Sequence, residues 1–186
     1  MTDIKPIPPP SARWKPQPEP QTAFVDSPVF EVVYGGARGG GKTDAALGDF
    51  AGHARLYKAA ARGLLVRRTR VALEPTIARA RVIFAPDDAE WNEARSCFSW
   101  PSGAILYFRH LSADADADGY QGHAYSRVYV EELTQFPSPL VVDKANSHVV
   151  DQATAPCTQA KAGWALAFEA LETAVRWLTR TAAGSV

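Results

Sequence analysis

Sulfur and net charge are both scarce in this sequence. Its only cysteines, Cys97 and Cys157, lie far apart, with neither a CxxC nor a His-paired spacing. That excludes a disulfide scaffold and a cysteine-type zinc site, and reduced cytosolic thiols are the expectation. Twenty basic side chains face 20 acidic ones, so the total charge carries no nucleic-acid footprint, although a neutral sum can hide a local patch. No apolar run reaches membrane-spanning length, and the opening MTDIKPIPPPSARWKPQPEP has no apolar stretch of the kind a signal peptide needs. Neither secretion nor membrane insertion is therefore expected.

What is present suits one globular domain. The chain has 186 residues, 46% of them hydrophobic, with 5 Trp and 8 Phe, enough to bury a real core but too few for two large domains. Residues 1–20 hold seven prolines and read as an extended arm, because proline can build neither a helix interior nor an inner strand.

The centre of the sequence alternates strand and helix patterns. FEVVYGG (Phe30–Gly36) reads as a buried strand, and the segment from Lys42 to about Ala61 as a helix. GLLVRRT (Gly63–Thr69) reads as a second strand, and a helix is expected from the Glu74-Pro75 step, since proline is tolerated at a first helical position. SCFSWPSGAILYFRH (Ser96–His110) has the form of a hairpin, and SRVYVEEL (Ser126–Leu133) is a strand ending abruptly in two glutamates. Such alternation predicts an α/β layer fold around a mainly parallel sheet flanked by helices. The division expected is a proline-rich arm (1–20), a core (21–139) and an atypical tail (140–186). In that tail WALAFEALETAVRWLTR, Trp164 to Arg180, shows an amphipathic helical period.

Between the first strand and the first helix, five glycines fall in the nine positions Gly35–Thr43. A linker would have no reason to be clamped by regular elements at both ends. Gly36-Ala-Arg38-Gly39-Gly40-Gly41-Lys42-Thr43 fits G-x-x-x-x-G-K-[ST] without a mismatch. In this Walker A pattern glycine lets backbone N–H groups face a polyphosphate and the helix offers its positive end. Lys42 reaches the β- and γ-phosphates, and the Thr43 hydroxyl ligates Mg²⁺. A nucleotide with Mg²⁺ is thus the expected ligand. A P-loop hydrolase also needs a metal-side carboxylate and a group that orients water. Glu131 and Glu132 are the candidates.

Several segments together resemble the ATPase half of a bacteriophage large terminase subunit: Gln21 with Phe24, YGGARGGGKT, LLVRRT, WPSGAILYF and YQGHAYSRVYVEELTQF. The resemblance covers about Trp14 to Pro137. It implies a P-loop fold of the additional-strand, catalytic-glutamate type, in which an extra strand separates the P-loop strand from the acidic strand. It implies ATP hydrolysis coupled to translocation of duplex DNA into a procapsid, with Gln21 near the adenine. Arg38, Arg67 or Arg68 would be the arginine facing the γ-phosphate. Partners would be duplex DNA, a portal protein, a small terminase subunit and identical copies in a ring, in the host cytoplasm of a phage or prophage.

The sequence departs from the family in its Glu131-Glu132 pair, where Asp-Glu is commoner. After Pro137 neither a coupling motif nor a nuclease domain is recognisable, so the fold is expected to be incomplete at the C-terminus and DNA cleavage is not expected. A truncated nucleotide-binding remnant without turnover is the alternative reading. The six arginines between Ala61 and Arg81 suggest either DNA contact or solvated element ends. SADADADG (Ser112–Gly119) reads as a solvated acidic turn, and His53, His110, His123 and His148 as structural.

Overall fold

The computed structural model describes residues 12–28, 31–35, 39–111, 124–136 and 163–168. Gly36 and Arg38, the acidic turn 112–119, His123, His148, Cys157 and most of the proline-rich arm lie outside them. Helix α1 (Pro20–Val25) leads to strand β1 (Glu31–Gly35), then α2 (Lys42–Tyr57), β2 (Arg62–Arg67) and α3 (Arg70–Phe84). Short strands β3 (Glu90–Asn92) and β4 (Cys97–Ser99) precede β5 (Ile105–His110), β6 (Arg127–Val130) and β7 (Gly163–Phe168).

The strand order is β1-β7-β6-β2-β5-β4-β3. From β1 to β5 all pairings are parallel, and β4 and β3 add an antiparallel edge. Along β2 and β6 the consecutive apolar residues Gly63–Val66 and Val128–Val130 are buried on both faces. On β2, Leu65 joins Phe50, Phe84, Leu106, Phe108 and Tyr129 on the face packed by α2 and α3. Leu64 and Val66 point the other way, towards Tyr107, Val128, Val130 and Leu133. Gly63 lets α2 come close, since a Cβ there would stand 2.3 Å from the Phe50 ring.

The hairpin is realised as β4 and β5, closed by Gly103 N–H to Trp100 C=O at 2.9 Å with Gly103 at φ +90°. Helix α3 starts earlier than the sequence suggested: Thr69 caps it by accepting from Ala72 N–H, and Pro75 sits inside it. The bonded cap at Thr69 opens the helix ahead of Pro75, whose ring lacks the N–H of one intrahelical bond. Arg79 of α3 grips Asp44 of α2 through two bonds of 2.8 and 2.6 Å.

The tail is the larger correction. Where a helix from Trp164 to Arg180 was expected, Gly163–Phe168 is a strand, paired in parallel with β1 on one side and β6 on the other. The residues after 168 lie outside those described. A short apolar run cannot be told from a buried helix by periodicity alone. Here the slot between β1 and β6 offers backbone partners on both edges, and that decides the conformation. The core therefore draws a central strand from beyond residue 139, the boundary read from the sequence. Among the described residues, no helix is long and apolar enough to cross a membrane.

Candidate nucleotide site

Parallel strands place all their C-terminal ends on one edge of a sheet, where α/β proteins bind ligands. On that edge β1 ends at Gly35 and runs into the glycine loop, β6 ends at Val130 and runs into Glu131-Glu132, and β2 ends at Arg67. Strand β7 separates the first two, so the loop and the acidic pair stand about 10 Å apart across two strand spacings.

The loop reaches α2 through Gly39 at φ +83° and Gly41 at φ +69°, a left-handed geometry that glycine adopts without the Cβ penalty. Gly41 is the N-cap of α2, and its carbonyl accepts from Ala45 N–H at 2.9 Å. Lys42 and Thr43 occupy the first turn, where orphan N–H groups and the helix dipole favour an anion. Of the residues expected to bind nucleotide, Gly39, Gly40, Gly41, Lys42 and Thr43 come together here.

Gln21 also meets the loop, on its backbone. The side chain is 2% exposed, its oxygen accepts from Gln17 N–H at 2.8 Å, and its nitrogen donates to Gly41 C=O at 2.9 Å. Tyr34, at the end of β1, donates its hydroxyl to Gly40 C=O at 3.3 Å.

Glu131 is buried, 3% exposed. Its Oε2 lies 2.7 Å from Arg67 Nε and accepts from the Thr76 hydroxyl at 3.2 Å. Arg67 extends a second nitrogen to Glu132 Oε1 at 3.3 Å and a third to Ala72 C=O at 2.6 Å. One guanidinium thus compensates two adjacent carboxylates, the arrangement a buried acid requires. Glu132 takes left-handed backbone angles, φ 52° and ψ 46°, a conformation that costs an acidic residue on the order of 1 kcal/mol and recurs at functional sites. It swings the Glu132 side chain out of the strand direction, leaving it half-buried while Glu131 stays inside.

The arginines separate in space. Arg67 faces the acidic pair, whereas Arg68 donates to Gln135 C=O at 2.6 Å. Arg79 is held by Asp44, and Arg62 reaches the Tyr107 hydroxyl at the opposite end of β2. The six arginines of 61–81 therefore do not form a single stripe. Among the described residues, no group of three or more His, Cys, Asp and Glu side chains could cage a metal. The donors fit Mg²⁺, which commonly takes one or two carboxylates with phosphates and water rather than a protein cage; the residues that could hold it are Glu131 and Thr43, whose side-chain oxygens are hard donors of that kind.

The profile of the family described as terminase large subunit, T4likevirus-type, N-terminal, matches residues 33–177. The chain belongs to this family. That match runs through β7 and carries the resemblance past Pro137, the limit read from the sequence, to residue 177. Among curated proteins none matches the chain. Among solved structures it resembles the large terminase ATPase domain of Thermus phage P74-26, with a TM-score of 0.60 and 17% identity over 84% of this chain and 65% of that one. It also resembles the large terminase of a second phage, a thermophilic bacteriophage, with a TM-score of 0.57 and 11% identity over 83% of this chain and 39% of that one. That second terminase in complex with ADP matches with a TM-score of 0.53, at 12% identity over 81% and 38% of the two chains. This terminase chain thus spans 65% of the P74-26 domain and 39% of the second phage's protein. The sheet of this chain has the strand expected between the P-loop strand and the acidic strand, in β7.

Sequence reasoning missed Thr76 and the bracing role of Tyr34. Thr76 lies on a helix with no motif of its own. Tyr34 stood inside the quoted glycine motif, but its aromatic character suggested only a buried strand.

Proposed function

We propose that this terminase chain is a Mg²⁺-dependent ATP hydrolase, the motor portion of a DNA-packaging machine. The observation that carries the reading is the common sheet edge on which a P-loop and a carboxylate pair, Glu131 buried and Glu132 half-buried, face each other across one intervening strand.

In the proposed mechanism the N–H groups of the loop and Lys42 hold the β- and γ-phosphates, and Thr43 and Glu131 hold the metal. Magnesium held by Thr43 and Glu131 would supply positive charge to neutralise the phosphate oxygens. Glu132 orients a water and receives its proton as the water oxygen bonds to the γ-phosphorus. The bond from that phosphorus to the β–γ bridging oxygen breaks, and ADP leaves with the electron pair. Arg67 holds both glutamates in place; Arg38 is the remaining candidate for the γ-phosphate. The proposed partners are duplex DNA, a portal protein, a small terminase subunit and further copies of the chain in a ring, all within the host cytoplasm. DNA cleavage is not proposed for these residues.

The test is ATP binding and steady-state hydrolysis by the purified chain with and without Mg²⁺, beside Lys42→Ala and Glu132→Gln. The expected pattern is turnover by wild type, lost binding in Lys42→Ala, and binding without turnover in Glu132→Gln. Wild-type binding without any hydrolysis would point to the remnant instead.

A further inference from the structure

Two side chains that the catalytic scheme leaves unused converge on the glycine loop from behind. Helix α1 buries only Gln21 and Phe24, three positions apart and hence on one face. Phe24 stacks on Tyr34 with ring centroids 5.4 Å apart and planes inclined by 24°. From this unit Gln21 donates to Gly41 C=O at 2.9 Å and Tyr34 to Gly40 C=O at 3.3 Å. The Gln21 amide cannot be turned round, because its oxygen already meets Gln17 N–H, and a flip would set two donors face to face.

We infer that Gln21 and Tyr34 are positioning residues that aim the anion-binding amides of the loop. The reason is peptide planarity. In a trans peptide the C=O of one residue and the N–H of the next point in opposite directions, and no cis bond occurs among the described residues. Pinning Gly40 C=O therefore sets the direction of Gly41 N–H, and pinning Gly41 C=O sets that of Lys42 N–H. These two donors sit at the start of α2, where the phosphates bind in the reading above, on which this inference rests. A glycine-rich loop has many conformations of similar energy, so holding one in advance lowers the entropic cost of binding. Gly41 fits the same scheme: a Cβ there would lie 2.2 Å from Gln21 Nε2.

The role differs from adenine reading, and the two separate cleanly. Affinities of the full chain for ATP and for inorganic tripolyphosphate, which has no base, are measured by calorimetry for wild type, Gln21→Ala and Tyr34→Phe. Loop positioning predicts that Gln21→Ala weakens both ligands by the same factor, about 3- to 10-fold, and that Tyr34→Phe does so about 2- to 5-fold with the ring stack kept. The ratio of the two affinities stays within about twofold of wild type. Should Gln21→Ala weaken ATP and leave tripolyphosphate unchanged, Gln21 reads the base and the inference is overturned. Unchanged binding of both ligands by both variants overturns it too, as does a wild type that binds ATP but not tripolyphosphate. If Gln21→Ala fails to fold, Tyr34→Phe alone decides by the same criterion. A wild type that binds neither ligand removes the nucleotide reading itself, and this inference falls with it.

Discussion

Arg67 at the end of β2 and Glu131 at the end of β6 lie 2.7 Å apart, and the same guanidinium reaches Glu132 at 3.3 Å. The neighbouring strands bring them together: Val66 and Val130 are in register, so the residues that follow emerge side by side at the sheet edge. Replacing Arg67 by Ala leaves Glu131 buried with only the Thr76 hydroxyl against it. Losing one partner of a buried pair costs about 3 kcal/mol, and urea unfolding of Arg67→Ala should show a loss of that order. If the protein is held folded at low denaturant, ATP binding persists while turnover falls at least about tenfold, as a misplaced pair of glutamates requires. Full turnover in this variant would remove Arg67 from the site.

The tail makes a sharper prediction. Without β7, strands β1 and β6 would face each other across an empty strand position, each with a row of unpaired backbone groups. A chain ending at residue 139 should therefore lose cooperative urea unfolding and elute as aggregate, whereas the chain through residue 186 unfolds in one transition. Native-like unfolding of the shorter chain would mean that β1 and β6 close up without β7.

Close packing at Gly63 sets a third. The missing side chain leaves room for the Phe50 ring and Leu106 Cδ1, which a Cβ would approach to 2.3 and 2.7 Å. Both neighbours are fully buried and cannot swing away. Gly63→Ala should destabilise by about 1–3 kcal/mol, read from denaturant midpoints, and Gly52→Ala, which would meet nothing nearer than 3.8 Å, should not.

Acid should weaken the fold through His53. Burial first, and the Arg127 charge second, hold its pKa at about 3 against an ordinary 6.5. The folded form thus binds fewer protons than the unfolded chain below pH 6.5, so stability drops as pH falls from there and the loss levels off near pH 3. Between pH 7 and 5 this amounts to about 2 kcal/mol. His53→Gln should remove that part of the slope when urea unfolding is compared at the two values. An unchanged slope would mean that the ring accepts its proton without unfolding.

A single continuous stretch carries its own chemistry, and for that reason the sequence by itself determined the P-loop. Five glycines, a lysine and a threonine between a β-branched run and a helix have few other uses. The acidic strand was legible in the same way, since three apolar residues ending in two glutamates mark a buried strand reaching a polar edge. What lay beyond local reading was everything settled by partners distant in the chain. WALAFEAL satisfies a helix and a strand about equally, and only the slot between β1 and β6 chooses. Arg67 was one of three arginines offered for the γ-phosphate until the register of β2 and β6 set it against Glu131. Gln21 likewise carried no sign that it would pin Gly41, 20 positions away. Local chemistry is written in adjacent residues, but backbone pairing and buried charge compensation are long-range energies, and only the folded chain evaluates them.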